Sequence, residues 1–275
     1  MEETYIVLGP GRVALASLLI LINGAVSLAL RLGMERTLLV ASIRTVGQLL
    51  LIGIVLEWVF HDKPWYVVAA LLVVMTLVAG ITAVQRNSRR YAGIWLDTLF
   101  SVWASSWIIT AFAMFVVIRD MQPWYQPQYV IPLLGMVLGN TLTGISLGLN
   151  ALTESLVTRR DHVEGLLALG ATRWEAASHP MRHAIRTGMM PIVNSMMVVG
   201  IVSLPGMMTG QILAQQPPMD AVKYQIVIMF LVASATGLGT MSVILLGFRR
   251  LFNNDHQFLY DKIHSEGEKP MTRSH

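Results

Sequence analysis

Seven apolar stretches, each long enough to cross a bilayer as a helix, take up most of this chain: residues 6–30, 38–60, 65–85, 96–118, 130–150, 188–214 and 224–248. A spanning helix needs about 20 mainly apolar residues, because the hydrocarbon core is about 30 Å thick and each residue rises about 1.5 Å. In lipid every main-chain polar group must be bonded internally, so a run of this kind has to be helical. The expected fold is therefore all-α, a polytopic integral membrane protein with about seven transmembrane helices. Charge agrees: 13% of residues are charged, about half the share in soluble domains. Mean hydropathy is +0.58. A pI near 9.6 would suggest a nucleic-acid partner in a soluble protein. Here it is explained by basic loops that set orientation, and no nucleic-acid partner is expected. The chain has no cysteine, so a disulfide framework or thiolate metal site is excluded.

Lysine and arginine decide the orientation. With the N-terminus outside, 15 of the 20 basic residues fall in inner connections and the C-terminal tail, four fall outside, and Arg44 lies within a span. The expected C-terminus is cytoplasmic. Residues 1–260 read as a single transmembrane domain. The polar residues 261–275 read as a disordered cytoplasmic tail.

The long interruption of the apolar pattern, residues 154–187, lies on the predicted cytoplasmic side. Asp161 followed by Glu164 has the spacing of a capped helix start, and Thr172 followed by Glu175 repeats it. Gly170 suits the left-handed position that ends a helix. Pro180 should bend or break the second helix. The expected element is a short helix, a tight turn and another short helix, able to enter a groove on a partner or to lie in the membrane interface.

Within that interruption, Glu164 and Gly170 have the Glu-to-Gly separation of the motif by which importer permeases dock on their ATPase. Other stretches are more specific: Arg44-Thr45-Val46-Gly47-Gln48-Leu49 with Gly53, Ile131-Pro132-Leu133-Leu134-Gly135-Met136-Val137-Leu138-Gly139-Asn140, Leu169-Gly170-Ala171-Thr172, Ser203-Leu204-Pro205-Gly206-Met207-Met208-Thr209-Gly210, Lys223-Tyr224-Gln225-Ile226 and His256-Gln257. In this order they resemble the Fet-type (FetB-like) ABC transporter permease family. Its bacterial members are associated with iron export and oxidative-stress resistance, its plant members with aluminium tolerance. The resemblance implies a permease subunit in the inner (plasma) membrane, exporting iron or another metal ion. It also implies a homodimer and a cognate ABC ATPase chain that docks at Glu164, Leu167, Leu169, Gly170, Ala171, Thr172 and Trp174. ATP would be bound and hydrolysed on that partner, since the chain has no phosphate-binding G-x-x-x-x-G-K-[ST] loop. No enzymatic activity and no directly bound cofactor are expected of the chain itself. The competing readings are a stand-alone secondary carrier or channel, and an ABC permease for a non-metal solute such as a sugar nucleotide.

Polar residues at membrane depth mark candidate pathway positions. Arg44 and Gln48 lie one turn apart in the second span. Asn140 and Thr141 lie in the fifth, beside the close-packing pairs Gly135/Gly139 and Gly144/Gly148. In the sixth, Ser203, Pro205, Met207 and Met208 mark a broken helix, since Pro205 removes a main-chain donor and Gly206 loosens the next turn. Transporters place sites at such breaks. Asn194, Tyr224 and Gln225 complete the set. The competing reading of each is packing: a kinked helix, a helix contact, or an arginine bonded to helix-end carbonyls. The sequence names no metal ligands.

Overall fold

A computed structural model describes residues 9–61, 64–118 and 125–265. By internal contact the chain divides into two compact units, Met1–Pro64 and Trp65–His275. The first is a helical hairpin, α1 (Pro10–Ala29) and α2 (Glu35–Phe60). Proline suits the start of α1, where the missing N–H would have had no helical acceptor. The hairpin turn is held by Ser27, whose buried hydroxyl donates to Glu35 Oε2 at 3.1 Å and accepts the Met34 N–H at 3.1 Å. The exposed surface of both helices is mostly aliphatic, which only lipid or protein can cover, and on α2 it also carries Arg44 and Gln48.

The second unit contains α3 (Trp65–Gln85), β1 (Arg89–Tyr91), α4 (Ile94–Phe112, continued by a π-helical turn Ala113–Val117), α5 (Pro127–Thr158), α6 (Arg160–Ala168), α7 (Arg173–Val198), α8 (Gly206–Leu213), α9 (Pro218–Leu251) and β2 (Ile263–Ser265). Among the described residues six helical segments, α1 and α2 included, are long and apolar enough to cross a membrane. The seventh apolar stretch, residues 188–214, is shared between the second half of α7 and the short α8, with a break between them.

α5 is the axis of this unit and packs against α3, α4, α7 and α9. Glycine permits the closest approaches. A Cβ at Gly188 of α7 would sit 2.5 Å from the Gly144 carbonyl of α5, and one at Gly239 of α9 would sit 2.7 Å from Thr141 Cγ2. Of the two glycine pairs expected to pack, Gly144/Gly148 lies against α7 and α9. Gly139 is exposed, with no atom within 4 Å of its Cβ position among the described residues.

α4 shows the environment most directly. Its buried positions are the polar Asp97, Thr98, Ser101, Ser105, Ser106 and Thr110 beside Ile94, Val102 and Ile109, while Leu96, Phe100, Trp103, Ile108 and Phe112 face outward. A helix whose outside is more apolar than its inside belongs in lipid. Small hydroxyl residues suit tight helix packing there, because lipid gives the helices no hydrophobic reason to associate.

Two expectations fail. Pro180 does not interrupt its helix: α7 runs unbroken from Arg173 to Val198 through both Pro180 and Pro191. Proline removes one helical hydrogen bond, but Ala176, Ala177, Met181, Ala184 and Ile192 are buried along the same stretch, and that continuous packing outweighs the loss. The tail is also ordered beyond Tyr260. Tyr260–Lys262 forms a 3₁₀ turn, and β2 pairs antiparallel with β1, Arg90 opposite His264 and Tyr91 opposite Ile263. Residues 266–275 lie outside the described residues.

Candidate functional site

The α6–α7 corner is built from local signals. α6 ends in a Schellman motif: Ala171 N–H donates to Leu166 O (3.0 Å) and Gly170 N–H to Leu167 O (3.0 Å). Gly170 supplies the left-handed backbone, φ +91°. α7 then starts with a complete capping box. Thr172 Oγ1 accepts the Glu175 N–H at 3.3 Å, and Glu175 Oε2 accepts the Thr172 N–H at 2.7 Å. Those bonds hold the Glu175 carboxyl below the usual carboxylate range, the main-chain N–H first and the Thr172 hydroxyl second.

Val163, Ala176 and Ala177 bury the inner side of the corner. Two apolar side chains project from its tip: Leu169, 87% exposed, and Trp174, 54% exposed. The Trp174 ring meets Phe248 edge-on at 5.2 Å, so its position is set although its outer face is free. Leu167 and Ala171 are half-buried between them.

The first expected cap is not formed. α6 follows α5 after the single residue Arg159, which takes the N-cap position without a side-chain bond. Asp161 therefore already lies inside the first turn. Glu164, rather than reaching back to it, pairs with Arg160 Nε at 2.7 Å.

The candidate pathway residues divide into groups. Arg44 and Gln48 are exposed on α2, in the first unit. In the second unit, Asn140 and Asn194 are exposed on α5 and α7, and the Asn140 amide donates to Met136 O at 2.9 Å. Thr141 is fully buried in the α5 contact with α9. The expected break is present. Gly200 takes the left-handed region, φ +84°, and its N–H donates to Ser203 O at 2.9 Å. Pro205 then caps α8. About ten residues separate Gly188, at the α5 crossing, from the break, a rise of about 15 Å. That places the break toward the Tyr129–Tyr224 end of the unit, opposite the arginines.

At that same end a cavity of about 230 Å³ opens between α5, α8 and α9. Met207 and Tyr224 line it with Met136, Gln211 and Tyr129. Met208 and Ser203 do not. Gln225 is buried on α9, and among the described residues neither its carbonyl oxygen nor that of Gln211 has a hydrogen-bond partner. Gln211 lies one turn after Met207 on α8, a spacing the sequence carries, whereas Met136 stands on a different helix and no spacing ties it to Met207.

A further group missed in the sequence closes the arginine-rich end. Asp97, 4% exposed, accepts from Arg250 Nε through Oδ2 (2.6 Å) and Oδ1 (2.8 Å), and Tyr91 OH donates to Oδ2 at 3.2 Å. Arg250 lies over Gly93, where any Cβ would meet its guanidinium at 2.5 Å. Burial, with the Asp97 charge next, pushes the Tyr91 phenol well above its ordinary value. Arg89 Nε bonds Glu154 Oε2 at 2.9 Å, tying the α3–α4 connection to the end of α5. The available signal was an acid one turn into an apolar run. Its partner, 153 residues away, had none.

Apolar spans and hydroxyl residues turned inward define a multi-pass helical membrane protein, with a firmly capped corner that exposes apolar side chains. The chain belongs to the Uncharacterised protein family (UPF0014), which matches residues 10–252. It is 40% identical over 245 residues to the UPF0014 membrane protein slr1647 of Synechocystis sp., covering 87% of this chain and 93% of the relative. It is 30% identical over 253 residues to the Probable iron export permease protein FetB of Escherichia coli, covering 91% and 95%. It is 31% identical over 259 residues to Protein ALUMINUM SENSITIVE 3 of Arabidopsis thaliana, covering 93% and 92%. No solved structure matches the chain significantly.

Proposed function

We propose that this permease is the membrane subunit of an ATP-driven exporter of iron or another metal ion, working as a homodimer with a separate ATP-binding-cassette chain on each copy. ATP is bound and hydrolysed on those partners. The observation that carries this reading is the α6–α7 corner. Leu169 and Trp174 stand exposed on a turn whose backbone is fixed by a Schellman motif and a capping box. A rigid apolar knob of this kind suits a groove on a soluble partner, and a push on it enters α7 and α5 directly. The likeness to a relative named as an iron export permease supports the substrate class.

The orientation follows from the arginines: corner and tail lie in the cytoplasm, in the inner or plasma membrane. The ion then leaves through the opposite end, where the cavity offers the thioethers of Met136 and Met207, the Gln211 carbonyl oxygen and the Tyr224 hydroxyl. These neutral groups hold a cation weakly, as an exit requires. Asn140 and Asn194 present polar groups on the outward faces of α5 and α7, which a second copy would cover.

The test is reconstitution. The permease, purified with its cognate ATP-binding-cassette chain, should accumulate Fe²⁺ in inside-out vesicles only when ATP is present. Fe²⁺ uptake by the permease alone, driven by a pH or ion gradient, would refute the reading.

A further inference from the structure

The ordered tail gives the corner a second support that the ATP-driven reading does not require. Immediately after α9 the chain reverses in a closed turn. Asn253 Oδ1 accepts the Gln257 N–H (2.8 Å), Asn253 N–H donates to Gln257 O (3.2 Å), and the two side-chain amides bond at 2.9 Å. His256 stands at φ +56° in this turn, which directs it at the start of α7. Its Nδ1 accepts the Arg173 N–H at 3.0 Å. That N–H is one of the donors that a helix start leaves without a partner. As an acceptor Nδ1 must be unprotonated, so the neutral ring carries its hydrogen on Nε2.

The Arg173 side chain returns the contact: Nη1 donates to Asn253 O (3.0 Å) and to Asn254 Oδ1 (2.8 Å). Further along, the Arg160 guanidinium of α6 lies 4.1 Å over the Tyr260 ring. A ring series, Trp174–Phe248–Phe252–Phe258–Tyr260, runs from the corner into the tail at centroid spacings of 5.1–6.2 Å. The segment then pairs through β2 with β1. β1 in turn is tied to α5 by Arg89–Glu154 and, through Tyr91 and Asp97, to α4 and α9.

We propose that residues 253–265 form a strap that fixes the α6–α7 corner to the α3–α4 connection, with His256 and Arg173 as its positioning residues. An ATPase pressing on the corner then moves α4 together with α7, instead of bending the corner against the bundle. In this last consequence the proposal rests on the ATP-driven reading. The strap itself does not.

Two measurements test it. Hydrogen exchange on the full-length permease alone, in lipid nanodiscs, reads the strap without any ATPase. His256→Ala should speed exchange at the first amides of α7 about fivefold, the size of a lost helix cap. His256→Asn, whose Oδ1 can accept the same N–H, should restore it. Unchanged exchange in His256→Ala overturns the strap. In the complex with ATPase, His256→Ala should retain the partner and hydrolyse ATP while exporting several-fold less Fe²⁺ per ATP, and His256→Asn should recover the ratio. An unaltered ratio overturns the force-transmitting role.

The absence of native cysteines allows a clean second variant. Arg90→Cys with His264→Cys places thiols on facing strand positions within disulfide reach. A strap that stays closed leaves export unchanged on oxidation. Loss of export that reductant reverses shows that it must open, which overturns the proposal. A native permease that retains no ATPase sinks the ATP-driven reading, while the exchange experiment still decides the strap.

Discussion

The contact between α5 and α7 at Gly144 and Gly188 offers the sharpest test of the packing. In Gly188→Ala the new Cβ meets the Gly144 carbonyl oxygen at 2.5 Å and Thr240 Cγ2 at 2.7 Å. Real Cβ atoms essentially never come closer than 3.0 Å, so the helices must part by at least about 0.5 Å. Overpacking costs about 1–3 kcal/mol. The upper end applies, because the nearest obstacle is main chain and cannot rotate away. Alanine returns about 1 kcal/mol of helix propensity, which leaves a net loss of about 2 kcal/mol. For a unit of this size that is a fall in melting temperature of about 4–8 °C. Gly139→Ala is the internal control. It lies on α5, the helix that Gly188 of α7 meets, but its Cβ meets no described atom within 4 Å, and it should melt at or slightly above the parent. Thermal unfolding in one detergent, followed by tryptophan fluorescence, reads both. Equal melting of Gly188→Ala and Gly139→Ala would show that α5 and α7 do not touch main chain to main chain, and the description of the unit would fail with it.

Gly170→Val combined with Glu164→Ala puts a β-branched residue at φ +91°, at a cost of about 1–3 kcal/mol. The protein should insert normally yet lose ATPase co-purification and export, which a pull-down beside a transport assay measures. The Glu175 carboxyl is depressed by its Thr172 bonds. Its stabilisation of the corner is therefore present above the unfolded pKa and lost as pH falls through the lower folded value. Carbon-13 titration of Glu175 should give a midpoint below that of an unperturbed glutamate, and one at or above it contradicts the capping box. Arg250→Leu leaves the Asp97 charge buried without its partner and should destabilise by about 3 kcal/mol, the low end for such a pair because Arg250 is 40% open to solvent. The double variant with Asp97→Asn should recover part of that loss in a thermal double-mutant cycle. Met207→Ala with Met136→Ala removes both thioethers from the cavity and should change cellular iron content in cells that carry the ATPase. Unchanged content removes the cavity from the pathway.

Features that a short stretch of chain decides alone were legible from residue type and spacing. Hydrophobic length set the spans, because lipid forbids an unbonded backbone. Gly170, Thr172 and Glu175 set the corner, because caps and left-handed turns are satisfied within five residues. Pro205 and Gly206 marked the break for the same reason, although the left-handed residue that turns the chain there is Gly200. Tertiary structure decided everything that depends on a distant neighbour. Packing along α7 carried the helix through Pro180. The direct entry of α5 into α6 displaced the cap expected at Asp161. Of two equivalent glycine pairs, only Gly144/Gly148 found partners on α7 and α9. Asp97 became a buried anchor only because Arg250 arrives from the far end of α9, and residues 263–265, the start of a tail that looked polar enough to stay free, are paired with β1. Local bonds can be read from spacing. A buried charge, a close helix crossing or an ordered tail depends on what the fold brings against it.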